Sequence, residues 1–420
     1  MLGAAALAAV VTLAVTIIYL NLMPSEKQIE RSIEHVYAVG SPQFTRCMSN
    51  LLGPPLIAGN AVTVLQNGDE IFPAMLEAIG SAQRSICFET YIYWSGIVGE
   101  RFSDALAERA RAGVRVHVLL DWVGTHLDDE LLDPMREAGV QLELYHPLHW
   151  YTLARFNNRT HRKLLIVDGR IGFTGGVGIA DVWLGDAQDP DHWRESHFRL
   201  EGPAVGQMQA AFIDNWIKTR SELLHGEDYF PEAPAAGGFQ AQVFTSSPTS
   251  GSENVRLMYL LSIASAREHV RLSASYFVPD ELSTRTLVAA LQRGVRVEAI
   301  LPGKHMDVEI TRKASRARWG PLLEAGMEIY EYQPTMYHCK VMIVDDQWVS
   351  VGSTNFDNRS FRMNDEANLN VLDPGFAREL AQVFEEDKRR SLRITLEEWR
   401  RRPLREKLAE AIADLLGDLL

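Results

Sequence analysis

A histidine, a lysine and an aspartate occur twice in this chain with the same spacing. The pattern is H-x-K, four further residues and D, with His161, Lys163 and Asp168 in the first copy and His338, Lys340 and Asp345 in the second. Because side chains alternate along a strand, the histidine and lysine of each copy share one face. One copy could be a chance surface pair. A buried lysine is costly unless it is paired, so a neutral core has no reason to keep it twice.

Two histidines and two lysines in one cleft suit a substrate that contains a phosphate. The lysines could hold the non-bridging oxygens and stabilise the charge of a pentacoordinate transition state. One histidine could attack phosphorus while the other protonates the leaving oxygen, and a hydroxyl would then displace the first histidine. A neighbouring lysine charge opposes a bound cation. We therefore expect neither a metal ion nor a cofactor.

Each copy of the motif leads into a predicted β-hairpin. Apolar runs follow Lys163 and Lys340, turn at Asp-Gly or Asp-Asp, and return through a second apolar run. An Asp-Gly turn between two such runs is a strong hairpin signal. Upstream of the hairpins, three segments of the first half resemble three of the second, namely 84–94 with 268–280, 111–121 with 292–303, and 135–145 with 322–332.

The repeated order of strand, helix, strand, helix, strand and hairpin predicts an α/β fold. We expect two pseudo-symmetric halves, each a mixed β-sheet flanked by helices, that share one central active-site cleft. The expected divisions are a first half over 40–225, a linker rich in proline, alanine and glycine over 226–239, a second half over 240–375, and an amphipathic helical tail over 376–420.

The composition excludes some classes of protein. The chain has 420 residues, 46% of them hydrophobic, and a net charge of −13. The acidic balance argues against a protein that coats nucleic acid, which requires a basic face. Cys47, Cys87 and Cys339 have neither disulfide nor zinc spacing. Cys339 should point away from its neighbouring histidine and lysine, into the core.

The first 25 residues carry no charged side chain, and the stretch from Leu2 to Leu22 is almost wholly apolar. About twenty such residues span a bilayer. A signal peptide is the alternative, but a basic start and a clear small-x-small cleavage site are both missing. We expect residues 1–23 to form a transmembrane anchor. Lys27 and Arg31 favour a cytoplasmic catalytic domain only weakly, because no loop precedes the span.

The double H-x-K-x4-D motif resembles the signature of the phospholipase D superfamily, over roughly residues 60–400. Segments such as "ETYIYW", "WRESHFRLEGPAV", "SYFVPD" and "GSTNFDNRSFRMNDEANLNV" are similar to bacterial cardiolipin synthases. The resemblance implies a transesterification at a bacterial inner (cytoplasmic) membrane. One phosphatidylglycerol donates its phosphatidyl group to an enzyme histidine, and a second accepts it to give cardiolipin and glycerol. The partners would be membrane phospholipids, not nucleic acid.

The same resemblance assigns catalytic roles to both motifs, with His161 as nucleophile and His338 as general acid and base. Ser353 and Asn355 match the family's G-S-x-N element, where these residues help hold the phosphate. The first half departs from that element, because Gly178 stands where asparagine is common. Asn355 alone would then make this contact.

Two carboxylates are candidates for orienting the histidines, as acidic residues in these regions do in the family. They are Glu195 in "WRESH" and Glu366 in "NDEAN". Alternatives stay open for both: Glu195 could be an exposed partner of Arg194, and Asp365 competes with Glu366. Four further polar residues are left undecided or expected to be structural. His192 and His197 are expected to be structural, and Arg359 could pair with Asp357 or reach the phosphate.

The C-terminal residues mix a basic cluster with Trp399 and an apolar end. Such a segment suits a membrane surface, although packing on the domain is nearly as plausible. Three other functions remain alternatives. They are a phospholipase D hydrolase that uses water and gives phosphatidic acid, a phosphodiesterase acting on nucleic acid, and an inactive lipid-binding scaffold.

Overall fold

The computed structural model describes residues 11–13, 16, 29–125, 129–147, 158–248, 253–415 and 417. Residues 1–30 form one compact unit and residues 31–420 a second. The expected anchor, residues 1–23, lies almost entirely outside the described residues. Within the described part of the chain, none of the helices combines the length and apolar character that a bilayer crossing needs.

Strands and helices alternate along most of the chain. The strands are β1 (Ile57–Gln66), β2 (Ser85–Thr90), β3 (Arg115–Asp121), β4 (Gln141–Tyr145), β5 (Leu164–Val167), β6 (Ile171–Gly175), β7 (Ser196–Glu201), β8 (Phe239–Ser246), β9 (His269–Ala274), β10 (Phe277–Val278), β11 (Arg296–Pro302), β12 (Glu328–Tyr332), β13 (Lys340–Val344), β14 (Trp348–Gly352), β15 (Phe356–Asp357), β16 (Glu366–Leu372) and β17 (Ser391–Ile394). The helices are α1 (Pro42–Leu51), α2 (Asn67–Ser81), α3 (Ile97–Arg111), α4 (Asp129–Glu137), α5 (Val205–Arg220), α6 (Asn254–Ser265), α7 (Glu281–Gln292), α8 (Glu309–Ala317), α9 (Trp319–Glu324), α10 (Asn358–Arg362), α11 (Pro374–Arg389), α12 (Leu396–Arg401) and α13 (Leu404–Asp414).

Fifteen strands of the described chain form one mixed sheet, in the order β17-β12-β11-β9-β13-β14-β16-β8-β1-β7-β6-β5-β2-β3-β4. Counted outward from the central β8–β1 pair, the strands of the two halves occur in the same order. β17 is an additional strand at the outer edge of the second half. The α/β class and the two pseudo-symmetric halves are thereby confirmed. The two predicted sheets are joined into one, because β1 and β8 pair antiparallel and each covers the other's edge.

Helices cover both faces of this sheet. Side chains alternate in β5, so Leu164 and Ile166 face a core that includes α5 and α11 and continues under both halves. Leu165 and Val167 face the opposite side, where α2, α3 and α4 cover the first half. Helices α1, α6, α7 and α9 cover the second half on that side. Each motif strand is therefore fixed by packing on both faces.

Both predicted hairpins are present. β5 pairs with β6 and β13 pairs with β14, each antiparallel. The turns have positive φ at both central residues, at Asp168 and Gly169 in the first and at Asp345 and Asp346 in the second. That conformation defines the type I′ turn, which matches the twist of adjoining strands.

The C-terminal segment, expected as a helical tail over 376–420, contains a strand as well as helices. α11 begins at Pro374, where the side chain of Asp373 accepts from the Phe376 amide at 2.8 Å. β17 then pairs antiparallel with β12 at the sheet edge. α12 starts with a capping box between Thr395 and Glu398. Residues 221–238 connect α5 to β8 without a helix or strand, and they include the expected linker except Phe239, which begins β8.

Candidate active site

The two motifs meet at one cavity of about 340 Å³ between the halves. Its volume lies at the lower end of the range for small-molecule sites, which starts at about 300 Å³. The first half contributes Tyr91, Ile92, Arg159, His161, Lys163 and Trp193, and the second half contributes Tyr276, Asp307, Val308, Thr311, His338, Asn355, Asp357, Arg359 and Asn364.

Each motif histidine is held by a carboxylate from the opposite half. Nδ1 of His161 lies 3.0 Å and 3.1 Å from the two carboxylate oxygens of Glu366. Nδ1 of His338 lies 2.6 Å from Oε2 of Glu195. Both carboxylates are fully buried. Because Nδ1 of each ring faces a carboxylate, Nε2 is the ring nitrogen left to react.

Backbone hydrogen bonds fix these crossed pairs. The amide of His161 donates to the carbonyl of Asp365, the residue before Glu366, at 2.9 Å. The amide of His338 donates to the carbonyl of Arg194, the residue before Glu195, also at 2.9 Å. The same arrangement therefore occurs twice, related by the pseudo-symmetry of the fold.

Both lysines are buried beside the histidines. Nζ of Lys163 donates to the carbonyl of His161 at 2.8 Å and lies 5.5 Å from the centre of the Tyr91 ring. Nζ of Lys340 donates to the carbonyl of His338 at 2.8 Å and to the hydroxyl of Ser275 at 2.7 Å. Lys163 lines the cavity itself, and Lys340 lies directly behind the cavity-lining His338.

Burial lowers the pKa of all four motif bases. Desolvation lowers the pKa of His161 to about 4, although Glu366 opposes this. Desolvation, with the charge of Lys340, lowers the pKa of His338 well below 6.5. The pKa of Lys163 falls to about 7, chiefly by burial and also through the charge of Lys340. An anionic substrate would favour the charged lysines and raise their pKa values again.

The two carboxylates differ in their electrostatics. Burial raises the pKa of Glu195 to about 7 despite the charge of Lys340. Burial also acts on Glu366, but His161, Lys163 and a hydrogen bond from Ser353 outweigh it and lower its pKa. The surroundings therefore favour the ionised form of Glu366 beside His161, whereas Glu195 keeps a proton beside His338 up to about pH 7.

A serine beside Glu366 and a glycine beside Glu195 explain part of the difference between the two carboxylates. Ser353 donates its hydroxyl hydrogen bond to Glu366. The matching position in the first half is Gly176, where an added Cβ would lie 2.2 Å from Oε2 of Glu195. A serine cannot fit there, so Glu195 lacks the equivalent donor. A Cβ at Gly178 would likewise lie 2.8 Å from Cβ of Ile92, which excludes the asparagine that is common in the family.

The motif aspartates do not line the cavity. The carboxylate of Asp168 accepts hydrogen bonds from the amides of residues 83–85 at 2.8–3.0 Å for the closest contacts. Asp345 accepts the equivalent bonds from residues 267–269 at 2.8–2.9 Å. Each aspartate sits in its hairpin turn and ties that turn to the start of β2 or β9.

The structure also places the other polar residues that the sequence left undecided. Asn355 lines the cavity and accepts from Ser275 at 2.7 Å, whereas the Ser353 hydroxyl is directed to Glu366. Arg194 pairs with Asp387 at 2.9 Å. Glu195 is buried and is therefore not an exposed partner of Arg194. The carboxylate of Asp365 accepts from the hydroxyl of Tyr145 at 2.6 Å. Glu366, not Asp365, is therefore the carboxylate that contacts the ring of His161.

The remaining candidates lie in their expected surroundings or in the cavity wall. His197 is buried in β7, and burial lowers its pKa to about 3. His192 pairs with Asp189 at 2.6 Å. Cys339 points into an apolar cluster, as strand alternation predicted. Arg359 and Asp357 both line the cavity.

Aromatic residues of the site were not predicted individually. The ring of Tyr91 lies 5.4 Å from that of His161, and the rings of Trp183 and Trp193 lie 5.4 Å and 5.5 Å from that of His338. The quoted segments "ETYIYW" and "WRESH" contain Tyr91 and Trp193, so the signal was present in the resemblance. Among the described residues, no group of three or more histidine, cysteine, aspartate or glutamate side chains is arranged to hold a metal ion.

Comparisons with known proteins show the family to which the chain belongs. The family model described as "Cardiolipin synthase, PLD-like domain" matches residues 75–212 and 259–388. The chain is 32% identical over 404 residues to "Cardiolipin synthase 1" of Bacillus anthracis, covering 94% of this chain and 79% of that protein. It is 34% identical over 365 residues to "Major cardiolipin synthase ClsA" of Bacillus subtilis, covering 86% and 76%.

A solved structure supports the fold. The crystal structure of phosphatidylserine synthase from Haemophilus influenzae matches with a TM-score of 0.65 and 16% identity, covering 90% of this chain and all of that one. At this identity the likeness concerns the fold alone. The family match covers both halves and both motifs, and the chain belongs to the cardiolipin synthase family of phospholipase D-like proteins.

Proposed function

We propose that the protein is a phosphatidyl transferase that makes cardiolipin from two phosphatidylglycerol molecules, through a covalent phosphohistidine, with release of glycerol. The observation that carries the proposal is the unequal pair of buried His–Glu contacts across one cavity. The ionised form of Glu366 is favoured beside His161, whereas Glu195 keeps a proton beside His338. This difference supports His161 as the nucleophile and His338 as the proton donor.

In the first step, Nε2 of His161 attacks the phosphorus of the donor lipid. The phosphorus–oxygen bond to the glycerol headgroup breaks, and His338 gives its proton to the leaving oxygen. Lys163 and Lys340 stabilise the charge on the non-bridging oxygens. Glu366 stabilises the positive charge that develops on the phosphorylated ring of His161.

In the second step, His338 takes the proton from a primary hydroxyl of the second phosphatidylglycerol. That oxygen attacks phosphorus and displaces His161, which returns to its neutral form. The acceptor carries a phosphate of its own, and the guanidinium groups of Arg159 and Arg359 in the cavity wall provide positive charge for it. Asp168 and Asp345 act in this scheme by fixing the hairpins that carry the lysines. The proposed site of action is the bacterial cytoplasmic membrane, with residues 1–23 as anchor and no nucleic acid as substrate.

A product assay tests the proposal. Purified full-length protein would receive phosphatidylglycerol labelled in its headgroup and, separately, in its acyl chains. Cardiolipin and free glycerol should form in parallel. Both products should be lost in His161→Ala and in His338→Ala. His192→Ala is the matched control, because His192 pairs with Asp189 and does not line the cavity.

Other products would identify the alternatives. Phosphatidic acid in place of cardiolipin would show that water is the acceptor and that the protein is a hydrolase. Failure to convert any phospholipid, together with cleavage of single-stranded DNA, would replace the proposal with a nucleic-acid phosphodiesterase.

A further inference from the structure

The last described helix, α13, presents its apolar side to solvent. Leu404, Leu408 and Ile412 are 82%, 64% and 58% exposed, and Leu415 directly after the helix is 83% exposed. Their spacing of four, four and three residues places them on one helix face. We call these four residues the outer stripe. A helix on a soluble domain normally turns such a face inward.

The acidic side of the same helix is turned inward. Glu410 is 3% exposed and pairs with Arg316 at 3.2 Å and with Arg402 at 2.5 Å. Asp414 pairs with Arg318 at 2.6 Å. Helix α13 is therefore fixed to the domain by ion pairs. Its acidic side faces the domain and its apolar side faces solvent, which is the opposite of the usual arrangement. Because the ion pairs hold this orientation, the outer stripe cannot turn inward without breaking them.

Helix α13 is linked to the active-site cavity through α8. α13 packs along α8, and Ala413 forms a small apolar cluster with Ala314 of α8. Asp307 and Val308, directly before α8, and Thr311, within it, line the cavity. Val308 and Ile310 are themselves exposed apolar residues. A groove lined mainly by charged side chains of both helices, among them Arg312, Lys313 and Arg405, lies at this contact.

Exposed basic side chains lie next to the outer stripe in the chain. Arg401, 78% exposed on α12, pairs with Glu397 at 2.6 Å, and Arg400, 59% exposed, pairs with Glu324 at 2.5 Å. Arg405 is exposed at the start of α13. Trp399 is not part of the outer stripe, because its indole donates to the carbonyl of Arg316 and packs on the domain. An occupant that is apolar in depth and anionic at its boundary fits this arrangement.

We propose that the outer stripe inserts into the surface of an anionic lipid bilayer and places the cavity entrance at the level of the headgroups. The choice of an anionic lipid rests on the proposed function, whereas the reversed orientation of α13 does not depend on it. The occupant is a membrane surface, not a second copy of this chain and not a protein partner.

The location of the stripe can be measured in the full-length protein without any activity. In a Cys47→Ser background, the remaining cysteines, Cys87 and Cys339, are buried. A single reporter cysteine at Leu408 would carry a fluorophore that is sensitive to polarity. Ile217→Cys is the matched control, because Ile217 is a 41% exposed aliphatic residue on α5, which covers the opposite face of the sheet. The protein would be reconstituted in vesicles of phosphatidylglycerol and phosphatidylcholine.

We expect a blue shift at Leu408 and quenching by lipids brominated in their acyl chains, with neither effect at Ile217. Equal spectra at the two sites in vesicles would overturn the proposal. A shift at Leu408 that grows with protein concentration in the absence of lipid would show self-association and would also overturn it. The fluorophore reports where residue 408 lies, so an enzyme without activity would give the same spectra. The proposed membrane contact and the proposed function can therefore fail separately.

A second variant links the stripe to turnover. The double substitution Leu408→Glu and Ile412→Glu changes exposed residues and should leave folding intact. We expect a several-fold loss of rate on phosphatidylglycerol in vesicles and an unchanged rate on a short-chain phosphatidylglycerol below its micelle concentration. An equal loss on both substrates would indicate damage to the site rather than loss of membrane contact.

Discussion

Glu366 faces Nδ1 of His161 at 3.0 Å, although 205 residues separate them and they belong to opposite halves of the chain. The reciprocal pair, Glu195 and His338, is separated by 143 residues. Each half therefore supplies the carboxylate that orients the other half's histidine. Neither half holds a complete reactive pair, so catalysis requires the two halves to be joined in this register.

Removing the carboxylate of Glu366 should slow the reaction without preventing folding. In Glu366→Gln the amide oxygen can still accept from His161, but the charge that stabilises the phosphorylated ring is lost. We expect kcat to fall by about 10- to 100-fold, the usual range for residues that orient a reacting ligand. Steady-state turnover of labelled phosphatidylglycerol checks this. A variant with unchanged kcat would show that the carboxylate has no part in the reaction.

The activity on the donor lipid should decline above about pH 7. Lys163 loses its charge there, and Glu195 loses the proton that it keeps beside His338, since the pKa values of Lys163 and Glu195 are both about 7. The pH dependence of kcat/KM reports the free enzyme. When both protons are needed, kcat/KM falls about 100-fold per pH unit above these pKa values.

Lys163→Arg separates the two contributions, because a guanidinium stays protonated throughout this range. The decline in that variant should become about tenfold per pH unit, leaving only the Glu195–His338 pair. A wild-type profile that stays flat up to pH 9 would contradict the proposed proton donor.

Replacing Lys163 with an apolar residue should stabilise the fold while abolishing activity. The folded-state pKa of Lys163 is about 7 and its ordinary value is 10.5. The unfolded chain therefore binds more protons between these values, and the stability contribution of Lys163 rises with pH across that window. Below pH 7 the buried charge costs its full amount, of the order of 5 kcal/mol from the difference in pKa.

Lys163→Met should consequently unfold at higher urea than the wild type at pH 6, and the difference should shrink as the pH rises from 7 towards 10. Urea unfolding at several pH values measures this. A difference that is the same at all pH values would mean that the charge of Lys163 is not responsible. Lys313→Met is a suitable control, because Lys313 is an exposed lysine on α8 that pairs only distantly with Glu309.

Asp168→Asn should reduce stability more than it reduces the chemical rate. The carboxylate satisfies the amides of residues 83–85, and an asparagine offers one acceptor where the carboxylate offers two. Asparagine tolerates the positive φ of this position, so the turn itself can form. We expect a loss of about 1–3 kcal/mol in the free energy of unfolding.

The activity per folded Asp168→Asn molecule should stay within a few-fold of the wild type at a temperature where the variant is folded. Urea unfolding and turnover, measured on the same preparation, check both statements. A large loss of kcat without a loss of stability would instead place Asp168 in the chemistry.

Residue types and their repetition were sufficient to predict the chemistry and the fold class. The spacing of His161, Lys163 and Asp168, repeated from His338, indicated a phosphate site. The two hairpins were predicted from Asp168-Gly169 and Asp345-Asp346 between apolar runs, because few residues accept the positive φ of such turns. Such features depend on local backbone geometry and on side-chain chemistry, and both can be inferred from adjacent residues.

Only the tertiary structure decided which carboxylate serves which histidine. The sequence placed Glu195 and Glu366 downstream of their own motifs, but antiparallel pairing of β1 with β8 joins the halves so that each carboxylate meets the other histidine. Burial then set the pKa values, and a glycine in place of a serine beside Glu195 made the two pairs unequal. Contacts between distant segments and the desolvation that they cause depend on the completed fold, because no local stretch of the chain specifies them.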